Sequence, residues 1–226
     1  GFNDIHDIKN NNSYAEFDEE SIIETLRRMD DYNPLFKILS FHWGNEYIQF
    51  PSLEQRKLAY KFIDAGATII AGHHPHVIQP YEKYKDGHIF YSLGNFMFDY
   101  IQSKKISIGL SAHIKIDKNN EINIKLKGVK LSYKNLLVSI NETEFLKGYY
   151  KNYNRYNKLK TLSDNEYIKI YISTLKINHI IERVLMKTAI FSELLRINTK
   201  EKFIFFKNIL DFYLKKILLT KKEIKQ

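Results

Sequence analysis

The chain contains no cysteine. That excludes a disulfide framework and any thiolate metal site, and it leaves the redox compartment open. No uninterrupted apolar stretch approaches the roughly 18–20 residues of a membrane span. No signal-peptide pattern opens the chain, whose first residue is Gly1 rather than Met. The expectation is therefore that an upstream portion belongs to the protein. Acidic residues are scarce in one part only. Residues 1–100 carry 9 Lys+Arg against 15 Asp+Glu, a net of −6, and residues 101–226 carry 26 against 11, a net of +15. Such a split suggests that the second part faces a polyanion or an anionic membrane surface, the alternative being a solvated Lys-rich surface. No nucleic-acid recognition motif accompanies the charge, so nucleic acid is not expected as a partner.

The 226 residues are 44% hydrophobic and 14% aromatic, enough for a sizeable core. Residues 1–17 show no periodicity. Asp18 to Met29 reads as a helix, with acidic residues in its first turn and Arg27-Arg28 near its end. Phe36 to Phe41 reads as a short strand, and Pro51 to Ala65 as a helix with Leu53, Leu58, Phe62 and Ile63 inward and Gly66 as its stop. Thr68 to Ala71 and Ile89 to Leu93 read as apolar strands of a covered sheet. This alternation predicts an α/β layer up to about residue 100. From Ile106 the period changes to two, predicting antiparallel strands with a turn at Asp117-Lys118-Asn119-Asn120. After about residue 142 the pattern is helical, with long helices over Tyr167 to Leu195 and Glu201 to Leu219. The last is basic and amphipathic, suited to its own domain or to a membrane surface.

The densest chemistry is Gly72-His73-His74-Pro75-His76, directly behind an apolar run. Neutral imidazole is the commonest ligand for transition metals. Proline biases the residue before it toward extended backbone, so His74 and His76 should point the same way, as two metal ligands. His73 then points away, as a proton donor or a partner behind the ligands. Gly72 is expected to permit a close turn or an unusual backbone angle. His42 follows another strand and makes a third ligand. Glu46 four residues on could orient an imidazole or act as a general base. Trp43 reads as core. His6, His88, His113 and His179 lack clustering and read as structural or surface, and Asp4, His6 and Asp7 are not expected to form an Asp-x-His element, since no apolar strand is expected before them.

The segments Phe41-His42-Trp43-Gly44-Asn45-Glu46-Tyr47, Gly72-His73-His74-Pro75-His76-Val77-Ile78-Gln79-Pro80 and Tyr91-Ser92-Leu93-Gly94-Asn95-Phe96-Met97-Phe98-Asp99 closely resemble the CapA family. These are bacterial capsule or poly-γ-glutamate synthesis proteins with a calcineurin-like metallophosphatase fold. The resemblance covers about residues 18–100. It implies an α/β sandwich of two sheets flanked by helices. It also implies a dinuclear centre of divalent transition metals (manganese, iron or zinc) and a metal-dependent hydrolase of the cell envelope, associated with the membrane. His42, His74 and His76 would be metal ligands, His73 and Glu46 catalytic groups, and Asn95, Gln79 and Tyr47 substrate contacts. The family's N-terminal Gly-Asp, Asn-Leu-Glu and Asn-Asn-His motifs are not in this sequence, so the chain reads as the C-terminal part of a longer protein. Residues 1–141 would be the metallophosphatase part and 142–226 a basic helical extension. Partners would be an anionic capsule polymer or its precursors, an anionic membrane surface and other capsule-synthesis proteins. A non-catalytic assembly component and a generic metallophosphoesterase are the alternative readings.

Overall fold

The computed structural model of the chain describes residues 2–3, 15–96, 108–118, 121–132, 137–139 and 142–178. They belong to a compact unit, Gly1–Asn178, and residues His179–Gln226 make a second. The helices expected over 179–195 and over Glu201 to Leu219 lie outside the described residues.

The central sheet is six-stranded, in the order β2-β1-β3-β4-β6-β5. Its strands are β1 (Phe2–Asn3), β2 (Ala15–Glu16), β3 (Ile38–His42), β4 (Ile69–His73), β5 (Tyr81–Tyr84) and β6 (Gly87–Phe90). Neighbours from β2 to β6 run parallel, and β5 pairs antiparallel with β6. The α/β reading of the sequence holds here. Three strands differ from the expectation: β5, whose short Tyr-Glu-Lys-Tyr run has little apolar character, and the two-residue β1 and β2, too short to show a period; β1 directly precedes Asp4, where the sequence predicts no apolar strand.

The helices form where the capping chemistry sits. In α1 (Glu19–Met29) the Asp18 side chain accepts from the Ser21 amide, Glu19 and Glu20 occupy the first turn, and Arg27 and Arg28 the last. In α2 (Leu53–Asp64) Ser52 and Gln55 form a reciprocal capping box. Gly66, at φ +101°, turns the chain out of α2 toward β4.

β3 alternates exposed and buried side chains, so Leu39 and Phe41 face one way and Ile38, Ser40 and His42 the other. Leu39, Phe41, Ile70 and Ile89 pack with Ile22 and Leu26 of α1 and Ala59, Phe62 and Ile63 of α2. Ile69 and Phe90, on the opposite face, pack with Leu110, Ala112 and Leu126 of a second sheet. That sheet is antiparallel, in the order β7 (Ile108–Ile116), β8 (Ile122–Ser132), β9 (Leu137–Ser139). The turn expected between β7 and β8 is closed by Asp117, whose carboxylate accepts from the Glu121 amide.

Helix α3 (Glu142–Leu159) and helix α4 (residues 164–178) complete the unit. The expected division at 141/142 does not fall at an edge of this unit, which includes both helices and ends at Asn178. Tyr156 and Leu159 of α3 join the core on the α1/α2 face, and Tyr149 joins the core on the other. α3 thus runs along the sheet edge at β5, where the Tyr149 hydroxyl accepts from the Tyr81 amide. An edge strand's unpaired amides are otherwise a template for unwanted pairing. No described helix is long and apolar enough to cross a membrane.

Candidate metal centre

Three parallel strands end at the same rim, each followed by an irregular segment. In α/β sheets the carboxyl ends of strands are where ligands gather. His42 ends β3 and His73 ends β4, and the two are register partners. The segment after β4 is tied to the segment after β3 by the Tyr47 amide, which donates to the Pro75 carbonyl at 2.8 Å. It is tied to the segment after β6 by Gln79 N–H to the Ser92 carbonyl and Ser92 Oγ to the Val77 carbonyl.

Gly72 fits this rim for a reason of space, not of backbone angle. The Trp43 indole donates to the Tyr91 carbonyl at 3.0 Å, across the face of Gly72. A β-carbon on Gly72 would stand 2.0 Å from the Tyr91 oxygen and 2.4 Å from Trp43 Nε1. The unusual angles fall instead on His74 (φ +95°), His76 (φ +57°) and Tyr47 (φ +63°). This corrects the expectation of extended backbone at His74 and His76. Left-handed conformations cost on the order of 1–3 kcal/mol each in non-glycine residues, and they cluster at functional sites. Here they turn both imidazoles inward from a tight loop, where an extended run would have carried the chain past the site.

His74 Nδ1 lies 3.0 Å from His42 Nε2. His76 Nδ1 donates to Asn95 Oδ1 at 3.0 Å, which places its lone pair on Nε2. That Nε2 is 3.9 Å from Glu46 Oε1. One ligating atom each from Glu46, His74 and His76 lie within 4.8 Å of one another. Ligands about 2.0–2.1 Å from a metal stand about 3 Å or slightly more from each other. Imidazoles and a carboxylate suit zinc, manganese or iron. The donor set and its convergence therefore fit a divalent transition metal.

Burial, with repulsion from His42 and His76, pushes the His74 imidazole down to about 4. Burial, with repulsion from His42, also lowers His73. Both are therefore neutral at neutral pH, the form that binds metal. His73 faces solvent beside His42 and does not join the converging group. Glu46 does join it, in a ligand's position rather than behind one. Tyr47 stacks 6.1 Å from His76. Asn95 holds the His76 ring.

Gln79 does not face the site. It is buried, and its amide donates to the Ile48 and Phe50 carbonyls, which makes it a support of the segment behind Glu46 instead of a substrate contact. Sequence reasoning missed other supports. Asn152, Tyr167 and Asn178 each donate to that segment from α3 or α4, and the Tyr171 hydroxyl accepts from the Asn45 amide. Nothing in the Tyr- and Asn-rich run around residue 152 distinguishes these from surface residues.

The described residues thus form an α/β layer with histidines gathered at the ends of its parallel strands. Residues 3–100 match the family model described as bacterial capsule synthesis protein PGA_cap. The capsule biosynthesis protein CapA of Bacillus anthracis is 58% identical over 62 residues, which are 27% of this chain and 15% of that protein. The PGA biosynthesis protein CapA of Bacillus subtilis (strain 168) is 56% identical over 62 residues, 27% of this chain and 16% of that one. An uncharacterized protein of Sinorhizobium fredii is 34% identical over 111 residues, 46% of this chain and 22% of its own length. The chain thus spans less than a quarter of each of these curated relatives.

Proposed function

We propose that this chain carries the histidine-rich part of the metal centre of a CapA-like, metal-dependent hydrolase in bacterial capsule or poly-γ-glutamate synthesis. The observation that carries the reading is the convergence of Glu46, His74 and His76, with His42 3.0 Å from His74. A bound metal supplies an acidified water and a Lewis acid for the attacked group. The rest is work for the chain's own residues. His42, His74 and His76 present imidazole nitrogens, and Glu46 presents a carboxylate. Asn95 fixes the tautomer of His76. His73, exposed beside His42, is placed to exchange protons with solvent or with a leaving group. Tyr47 offers a ring next to the centre for a substrate to rest on. The names of the Bacillus relatives support the envelope role and an anionic polymer as the substrate class. The net charge of +15 over residues 101–226 supports the same polyanion, or an anionic membrane surface, as the partner of that part.

The test is metal content after equilibration with Mn²⁺, Fe²⁺ or Zn²⁺, in the wild-type chain and in a His74→Ala/His76→Ala variant. The wild type should retain metal and the variant should not. Equal content would sink the ligand assignment. Metal-dependent release of small fragments from poly-γ-glutamate, absent with a generic phosphodiester, separates the capsule role from a general phosphoesterase. Salt-sensitive binding of the polymer without any turnover would instead favour an assembly component.

A further inference from the structure

Resting on that metal reading, we infer that helices α3 and α4 position the metal centre, by clamping the segment that carries Glu46 and Tyr47. Residues 43–52 join β3 to α2 with no helix or strand of their own. A buried segment of that kind must find partners for its backbone elsewhere. Here every carbonyl from Tyr47 to Pro51 accepts from a side chain. Tyr47 takes Asn178 Nδ2 at 2.7 Å, Gln49 takes Asn152 Nδ2 at 2.7 Å, and Pro51 takes the Tyr167 hydroxyl at 2.7 Å. Between them, Ile48 and Phe50 both take Gln79 Nε2. The segment is thus gripped alternately from α3/α4 and from the loop after β4.

The grip extends to both ends. Asn45 Nδ2 donates to the Tyr171 hydroxyl at 2.9 Å, one residue before Glu46. The Phe50 ring is met edge-on by Tyr167 and Tyr171, with the Arg155 guanidinium 5.4 Å from its centroid. Tyr47 joins the two sides, since its amide donates to Pro75, between His74 and His76, and its carbonyl accepts from α4. Glu46 itself is half exposed, on a segment with no helix or strand of its own. Its approach to His76 therefore depends on the backbone on either side, which α3 and α4 hold. Asn152, Tyr167 and Asn178 are positioning residues, acting through the Glu46 segment and touching no ligand atom.

The experiment compares the wild-type chain, an Asn152→Ala/Tyr167→Phe/Asn178→Ala variant and a Lys57→Ala control. Alanine is the best helix former, so α3 and α4 persist. The control removes the Lys57–Asp164 ion pair, which ties α2 to α4 away from the segment. Two readouts are taken: Co²⁺ titration with its visible spectrum, and amide hydrogen exchange across 44–51. The triple variant should bind Co²⁺ about tenfold or more weaker, the range for partners that orient ligands. It should show an altered Co²⁺ band and faster exchange across 44–51, and the control should match the wild type. A triple variant with wild-type Co²⁺ affinity and spectrum overturns the inference, as does a control that loses as much. A wild-type chain that binds no Co²⁺ overturns the metal reading itself. In that case exchange alone decides the positioning, and unchanged exchange across 44–51 in the triple variant sinks it.

Discussion

Gly72 has no room for a β-carbon, because the Trp43 indole and the Tyr91 carbonyl meet across it. Gly72→Ala must push apart two buried aromatic residues or break their hydrogen bond. The expected cost is about 3 kcal/mol, measured as a shift in the urea midpoint, together with weaker metal retention. Wild-type stability in this variant would show that the rim relaxes freely. At the scale of residues, the histidine cluster and its lone partner His42 were legible because each follows an apolar strand. The backbone around them was not. Proline biases its predecessor toward extended chain, yet His74 sits at φ +95°. That bias is outweighed by the ties from Tyr47 to Pro75 and from His76 to Asn95, which a local pattern does not contain.

At the scale of elements, α3 is fastened to the sheet edge by a buried carboxylate. Glu82 of β5 accepts from the hydroxyls of Tyr60, Tyr91 and Tyr156 and pairs with Lys160 at 2.7 Å. Burial alone would raise its pKa, but the hydrogen bonds from Lys160, Tyr156 and Tyr60 outweigh that and lower it. The Arg56 guanidinium lies 4.9 Å from the Tyr167 ring and 5.9 Å from that of Tyr156, extending the cluster to α4. Glu82→Ala leaves three hydroxyls and an ammonium without their acceptor. Removing one partner of a buried pair costs about 3–5 kcal/mol, to be read from urea denaturation. A loss below about 1 kcal/mol would mean that the tyrosines find other acceptors, the ordinary net worth of one hydrogen bond. The helices α1 and α2 were legible from caps and periodicity, within a few residues. The attachment of α3 and α4 was not, because it rests on single polar groups scattered through Tyr- and Asn-rich sequence.

At the scale of the whole molecule, acid should weaken the fold. Burial lowers His73, His74 and His88, with further lowering from His42, from His42 and His76, and from Lys83 respectively. The unfolded chain takes these protons near pH 6.5 and the folded chain refuses them. The stability is therefore complete above about 6.5 and declines as pH falls toward 4. Glu82, whose folded pKa is lowered from 4.5, adds a further loss below that value. Urea midpoints in a chelator should accordingly be lower at pH 5 than at pH 7.5. An equal or higher midpoint at pH 5 would contradict the burial of the His74 and His88 rings. The α/β layer could be read from sequence because its contacts are local in pattern. The clamp joins positions 103 to 131 residues apart, which no window of sequence spans. That distance also sets a timetable. On a ribosome adding about 5–20 residues per second, the Glu46 segment emerges roughly ten seconds or so before Asn178 does. Until Asn152 emerges, its carbonyls have only Gln79 and water to bond. The nascent protein therefore owns its histidines well before it owns a finished pocket, and chaperones meet it in that half-built interval.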